Sequence, residues 1–376
     1  MQKLVQKHPK KINLNLELFE QSIKSEYTRN VYIVCLKKYF QFSGSSKFVE
    51  CDHTTDPRGV EKHIIDYIIS LKKEGKGYSG IKNYVSAICK YYKVKDVYLN
   101  TNKISQFLPE FKKSKKDRPY RYEEIQKLLE IADERMRVVI LLLASTGMRI
   151  GAIPDLRLGN IEQVSTESRS ELPIHKITGY ENTNDEYVTF TTPECTTAIH
   201  NYLKMRERYG ERLTQDCFLI REQFNIRDPF AISKCKRVKA NTLTRKLIDL
   251  AERSGIRQKE VLEAGKNSAV IRKDVPICHG FRKFFSSQLV EVEPNVKPEL
   301  RWRLEGHGLK ANDAAYVKTS EKRLQHEYEK GIDNLTIDPS NRQKREIEVL
   351  KIEKSRFETI IKDVEQLKRK YNRLKA

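Results

Sequence analysis

Arg149, Lys176, His279, Arg282, His307 and Tyr316 are the residues of this chain whose types and neighbours suit chemistry on a phosphate. Arg149 follows an apolar run in "VVILLLASTGMRIG", where Gly147 can end a helix and leave the arginine on a tight turn. An unpaired charge beside so apolar a segment is costly, so it needs a core carboxylate or a substrate anion. In "CHGFRKFF", His279 and Arg282 are three apart, the spacing that puts two side chains on one helix face. His307 stands between two glycines in "LEGHGLKANDAAYVK", which lets the backbone approach closely. Tyr316 comes nine positions later, and on one straight helix the two would face opposite ways. The glycine break, with Asn312 or Asp313 capping a new short helix, permits them to converge. Lys176, in "IHKITG", is a candidate general acid. Tyr328, in "HEYEKGI", competes with Tyr316 as a nucleophile; the spacing from His307 favours Tyr316.

The elements that must position these residues are mostly helical. Residues 1–14 are polar and read as a loose N-terminus. Residues 15–105 read as a helical domain. In "YTRNVYIVCLKKYFQF", Tyr27, Val31, Val34 and Leu36 lie on or near an apolar stripe, and "EKHIIDYIISLKKEGKG" ends in a glycine cap. Ile81, Tyr84, Val85, Ile88 and Tyr91 repeat at helical spacing, as core rather than as base-stacking platforms. Residues 106–119 are a basic linker with prolines and clustered lysines.

A second domain spans 120–335. "MRVVILLLAST" is apolar enough for a buried helix, and "ELPIHKITGYENTNDEYVTF" reads as a β-hairpin around an Asn/Asp-rich turn. "NTLTRKLIDLAERSGI" reads as a helix capped by Asn241 or Thr242 and stopped by Gly255, with Arg245 and Lys246 available to a groove. Residues 340–376 place Leu350, Glu353, Phe357, Ile360, Val364, Leu367, Tyr371 and Leu374 at alternating steps of three and four, a coiled-coil seam. The fold class is mainly α with a small β-hairpin or sheet (α+β).

The net charge is +21, from 72 Lys and Arg against 51 Asp and Glu, with the basic residues clustered along the chain. That excess points to a polyanionic partner, nucleic acid first. The seven cysteines are odd in number and scattered, without a CxxC pair, which argues against a disulfide framework or a zinc ribbon and fits a reducing cytoplasm. "CDH", at Cys51 and His53, offers two ligands only, too few for a metal site. The N-terminus lacks the apolar stretch of a signal peptide, and no run is long enough to span a membrane. Neither a cofactor nor a metal is expected.

The order Arg, Lys, His-x-x-Arg, His, Tyr in one basic chain resembles the tyrosine recombinase (phage-integrase) family, and is most similar to its archaeal integrase-like members. "TGMRI" resembles the first arginine box, "HGFRKFF" the His-x-x-Arg box, and "LEGHG" with Tyr316 the third box and nucleophile. The resemblance covers residues 15–335 and implies a helical core-binding domain, a catalytic domain, and a clamp around double-stranded DNA. It implies attack by Tyr316 on a phosphodiester, a 3′-phosphotyrosyl bond and a free 5′-hydroxyl, with no need for ATP. Arg149 and Arg282 would hold the non-bridging oxygens, His279 would take the tyrosine proton, and His307 would donate to a phosphate oxygen. A homo-oligomer on paired sites is also implied.

Two positions depart from the family pattern. Ala152 stands where an acidic residue is common, and Glu181 falls in the slot of the hairpin lysine, with Lys176 five residues earlier. An active recombinase, a type IB topoisomerase-like enzyme and a DNA-binding protein without cleavage are therefore the three readings.

Overall fold

The computed structural model describes residues 14–43, 56–111, 117–166, 173–257, 275–307 and 320–375. These fall into two compact units, divided at the linker. Cys51 and His53 lie outside the described residues.

The first unit holds α1 (Leu14–Gln21), α2 (Glu26–Phe42), α3 (Pro57–Lys73), α4 (Tyr78–Val94) and α5 (Thr101–Ser105). Ser25 caps α2 by accepting from the Thr28 amide, and Asp56 caps α3 with Pro57 in its first turn. Gly75 takes a left-handed φ of 76° after α3, as the sequence predicts. The buried face of α2 is Cys35, Leu36, Tyr39 and Phe40. Val34 and Tyr27 are exposed, so the stripe read from sequence is rotated at both. The cause is the aromatic cluster: Tyr39 and Phe40 pack on Tyr67 and Tyr91 and turn α2 toward them. Ile81, Ile88 and Tyr91 of α4 are core, and Tyr84 and Val85 pack against it.

The second unit is built on α7 (Glu134–Thr146), whose run from Val138 to Thr146 is buried throughout. Around it pack α6 (Tyr122–Glu130), α8 (Pro193–Arg208), α10 (Ala240–Arg253) and α11 (His279–Val290), with the short α9 (Pro229–Ser233) between α8 and α10. A three-stranded antiparallel sheet, β1 (Ile161–Val164), β2 (Ile174–Gly179) and β3 (Tyr187–Phe190), pairs in the order β1-β2-β3. The hairpin was legible in sequence; β1 was not, because four residues with only their ends half-buried give no clear alternation. The helix predicted from Asn241 or Thr242 instead begins at Ala240 after Lys239, without a side-chain cap. It stops at Gly255 as expected, and Arg245 and Lys246 are exposed on it.

α12 (Pro298–Leu304), α13 (Glu321–Glu329) and α14 (Ile332–Leu335) close the unit against β3, α7 and α11. The long α15 (Pro339–Lys375) follows. Its start is tied to α6, with the Arg342 guanidinium 4.2 Å from the centre of the Tyr122 ring. Farther along, Leu350, Phe357, Ile360, Val364 and Leu367 of the predicted seam are all exposed. Among the described residues no helix is long and apolar enough to cross a membrane.

Candidate active site

The site begins at the end of α7. Gly147 adopts φ 62° and its amide donates to the Leu143 carbonyl, closing the helix and turning the chain sharply. A β-carbon at Gly147 would run into the Phe285 ring of α11, so glycine is needed both for conformation and for contact. The turn leaves Arg149 exposed, donating to the Gly306 carbonyl at 3.2 Å. Among the described residues no carboxylate pairs with Arg149.

Arg282 comes from α11 and is buried. One of its nitrogens donates to the Gly147 carbonyl at 2.8 Å. Another lies 3.0 Å from His307 Nε2 and 3.7 Å from a Glu305 oxygen. The core carboxylate at this corner is Glu305, and it serves Arg282 rather than Arg149. Glu305 also meets His307 at 3.2 Å and Arg301 at 3.9 Å. One carboxylate therefore faces two guanidiniums, with Arg149 unpaired beside them, which leaves the corner net positive and suited to an anion. Burial, reinforced by Arg149 and opposed by Glu305, pushes the Arg282 guanidinium below its ordinary value.

His307 follows Gly306, whose φ is 68°. Burial first, and then Arg282, depress the imidazole below the usual histidine value, against the pull of Glu305. Neutral imidazole fits the geometry. Arginine nitrogens only donate, so in the tautomer that accepts from Arg282 the lone pair is on Nε2 and the proton on Nδ1. The other tautomer would turn an Nε2–H to Glu305 instead.

Tyr187 of β3 sets the spacing of this corner, and no sequence motif marked it. Its ring lies between Gly179 and Gly306; β-carbons there would come within 2.6 and 2.7 Å of it. The hairpin and the His307 turn thus close on one aromatic ring. Tyr180, at the mouth of the hairpin, sits beside Tyr187 with ring centres 6.2 Å apart.

The remaining candidates fall differently. His279 is the first residue of α11 and is exposed; among the described residues no hydrogen bond or ion pair holds it. It does not join the Arg149–Arg282–His307 contacts, although the next residue, Gly280, is packed tightly under Tyr120. Lys176 is gripped by Glu162 at 2.6 Å and Glu321 at 3.0 Å, and these carboxylates raise its ammonium above the ordinary lysine value. Strand alternation puts Lys176 with Phe190 on one face and Tyr187 on the other, so its general-acid reading loses support. Glu181 accepts from the Asn160 side chain at 2.7 Å, and Ala152 is buried. Tyr328 is wholly buried, packs on Phe190, and donates to the Ser145 carbonyl at 3.0 Å. A hydroxyl so enclosed cannot reach a DNA phosphate. Tyr316, Asn312 and Asp313 lie outside the described residues.

Glu211, Cys217 and Cys235 also converge. Both Glu211 oxygens are already taken by Arg206 and Arg221, and two guanidiniums oppose a cation there.

Among solved structures, a lambda integrase tetramer bound to a Holliday junction matches with TM-score 0.50 at 14% identity, over 82% of this chain and 79% of that one. The fold is the integrase fold. A lambda integrase dimer bound to a COC′ core site matches equally, at TM-score 0.50 and 15% identity over 82% and 79% of the two chains. XerA recombinase is 20% identical over 84% of this chain and 97% of its own, with TM-score 0.36. No protein-family model and no curated protein matches the chain in sequence. At these identities the likeness is one of fold.

Proposed function

We propose that this chain is a site-specific DNA recombinase that cuts and rejoins duplex DNA through a 3′-phosphotyrosyl bond on Tyr316. The observation that carries the reading is the convergence of Arg149 and Arg282 on the Gly306–His307 turn, where the neighbouring carboxylate, Glu305, pairs with Arg282 and leaves Arg149 without one among the described residues. Such a corner stabilises the charge of a phosphorane-like transition state, commonly the largest catalytic contribution. In the proposed step the Tyr316 oxygen attacks phosphorus, its proton passes to His279, the bond to the 5′-oxygen breaks, and that oxygen takes a proton from solvent to leave as the 5′-hydroxyl. Neutral His307 has one N–H to offer a non-bridging oxygen. The bond energy stays in the phosphotyrosine, so rejoining needs no nucleotide. The fold neighbours are integrases bound to a junction and to a core site as tetramer and dimer, which supports DNA as the partner and assembly of several copies on it.

A nicked duplex carrying a candidate attachment site tests this by trapping the covalent adduct on a denaturing gel. Wild type and Tyr328→Phe should form it, and Tyr316→Phe should not. Loss only in Tyr328→Phe would move the nucleophile. No adduct on DNA that the protein binds would favour the other reading, a non-cleaving DNA-binding protein, for which the capture of Lys176 by two carboxylates is the supporting observation. Strand exchange between two site-bearing duplexes separates recombination from topoisomerase-like relaxation.

A further inference from the structure

Tyr180 is a bulky residue held at φ 52°, a left-handed conformation that side chains other than glycine, asparagine and aspartate seldom adopt. The hairpin turn fixes it there: the Thr183 amide and hydroxyl both donate to its carbonyl. Strain of this kind persists only where surrounding structure imposes it. Its consequence is to turn the ring back over the Arg149 turn. The Tyr180 hydroxyl comes within 3.6 Å of where a β-carbon on Gly151 would stand. A side chain at Gly151 would stand in van der Waals contact with that hydroxyl.

Two further observations concern hydrogen bonds. Among the described residues the Tyr180 hydroxyl has no partner, although the side chain is half-buried. Its neighbour Tyr187 carries a buried hydroxyl that is likewise unsatisfied. These two phenols lie beside Arg149, with which no described carboxylate pairs, and Arg282, which shares Glu305 with Arg301 and His307, in a corner where one Glu305 oxygen also lacks a partner. A buried donor without an acceptor, as at Tyr187, costs about 1–3 kcal/mol, and the exposed Arg149 beside it suits an anion.

We infer that the Tyr180 hydroxyl is a direct ligand of the phosphate held by Arg149 and Arg282, donating a hydrogen bond to one of its oxygens. Burial raises the Tyr180 phenol above its ordinary value, against the pull of Arg149, so it stays protonated and able to donate throughout the working range. Lys176, the other hairpin donor, is held by Glu162 and Glu321. The site geometry carries this inference; only the identity of the phosphate as DNA rests on the recombinase reading.

The test is made on the full chain with tyrosine labelled at Cζ with carbon-13. The resonance missing from Tyr180→Phe identifies Tyr180, and inorganic phosphate is titrated in at low salt. The Tyr180 resonance should move and saturate, and Arg149→Gln should weaken the apparent affinity at least about tenfold, as expected when a charged ligand is removed. A resonance that stays still, or moves equally in Arg149→Gln, overturns the inference. In the covalent trap, Tyr180→Phe should slow adduct formation on the order of ten- to a hundredfold at saturating protein; an undiminished rate overturns it as well. A wild type whose Tyr180 responds to phosphate but which forms no adduct sinks the recombinase reading and leaves Tyr180 as an anion ligand.

Discussion

Arg149 and Arg282 are the same residue in opposite surroundings, and their substitutions should separate binding from folding. Arg282 is buried and divides its nitrogens between the Gly147 carbonyl, His307 and Glu305. A lysine cannot span these partners, so Arg282→Lys should lose about 2–4 kcal/mol in urea unfolding as well as adduct formation. Arg149 is exposed and, among the described residues, makes one hydrogen bond, to Gly306. Arg149→Lys should stay within about 1 kcal/mol of wild type in the same measurement and still lose cleavage. Equal destabilisation by both would mean that the pair is structural. His175 offers a second residue-scale check. Burial, with His200 alongside, pushes its imidazole down to about 4. The unfolded chain protonates this group first as pH falls, so its contribution is complete above the ordinary histidine value and is lost downward toward pH 4. Between pH 7.5 and pH 5 it should account for roughly 2 kcal/mol of lost stability, and His175→Leu should flatten that part of the urea-derived profile. At this scale the sequence showed the residues with distinctive chemistry. It did not show Glu305, which is one acidic residue among 51 until the fold buries it beside Arg282. Nor did it show Tyr180 and Tyr187, whose type is equally at home in a core.

The elements meet at glycines, and these divide into two kinds that mutagenesis can distinguish. Gly255 ends α10 at φ 74° with open space around it, whereas Gly147 ends α7 at φ 62° against the Phe285 ring. Alanine at Gly255 meets only the backbone penalty, about 1 kcal/mol. Alanine at Gly147 adds a clash in a packed core, and should cost about 2–4 kcal/mol by thermal or urea unfolding. Similar losses at the two positions would deny that α11 closes so tightly on the α7 turn. In the sequence both look like the same helix stop. The stop itself was legible because local chemistry sets it; the close approach was not, since Phe285 is 138 positions away from Gly147. The same distinction explains β1 and α2. The hairpin of β2 and β3 is a local object with a turn signal, and it was read correctly. β1 exists because β2 offers it an edge from Ile174 to Ile177. α2 was rotated from its predicted stripe by aromatic partners on other helices.

At the scale of the whole molecule, charge and the uncovered length of α15 carry the consequences. The seam residues of α15 that are exposed contribute little to the second unit, which among the described residues holds this helix at its first turn through Arg342, and holds the residues just before it where Gln126 donates to the Ile337 carbonyl. A chain cut after residue 345 should therefore keep its melting temperature within about 2 °C, and a larger fall would show that α15 covers core. Net charge makes the broader demand. An excess of +21 on 376 residues is not needed for solubility, and it includes exposed positions such as Arg149, Arg245 and Lys246 in the unit that carries the site. If duplex DNA is the partner, lysines and arginines will displace condensed counterions, and the logarithm of the affinity will fall linearly with the logarithm of salt. Six to ten phosphate contacts correspond to a loss of about 10³- to 10⁵-fold between 50 and 200 mM salt. Fluorescence anisotropy on a labelled duplex measures that slope without requiring the target sequence, because phosphate contacts are made on any duplex. Arg149→Gln should then reduce the slope by about one ion and abolish cleavage, since this residue would meet a single phosphate. A slope near zero, at any sequence, would remove DNA as the partner and leave the positive corner around Arg282 to a smaller anion.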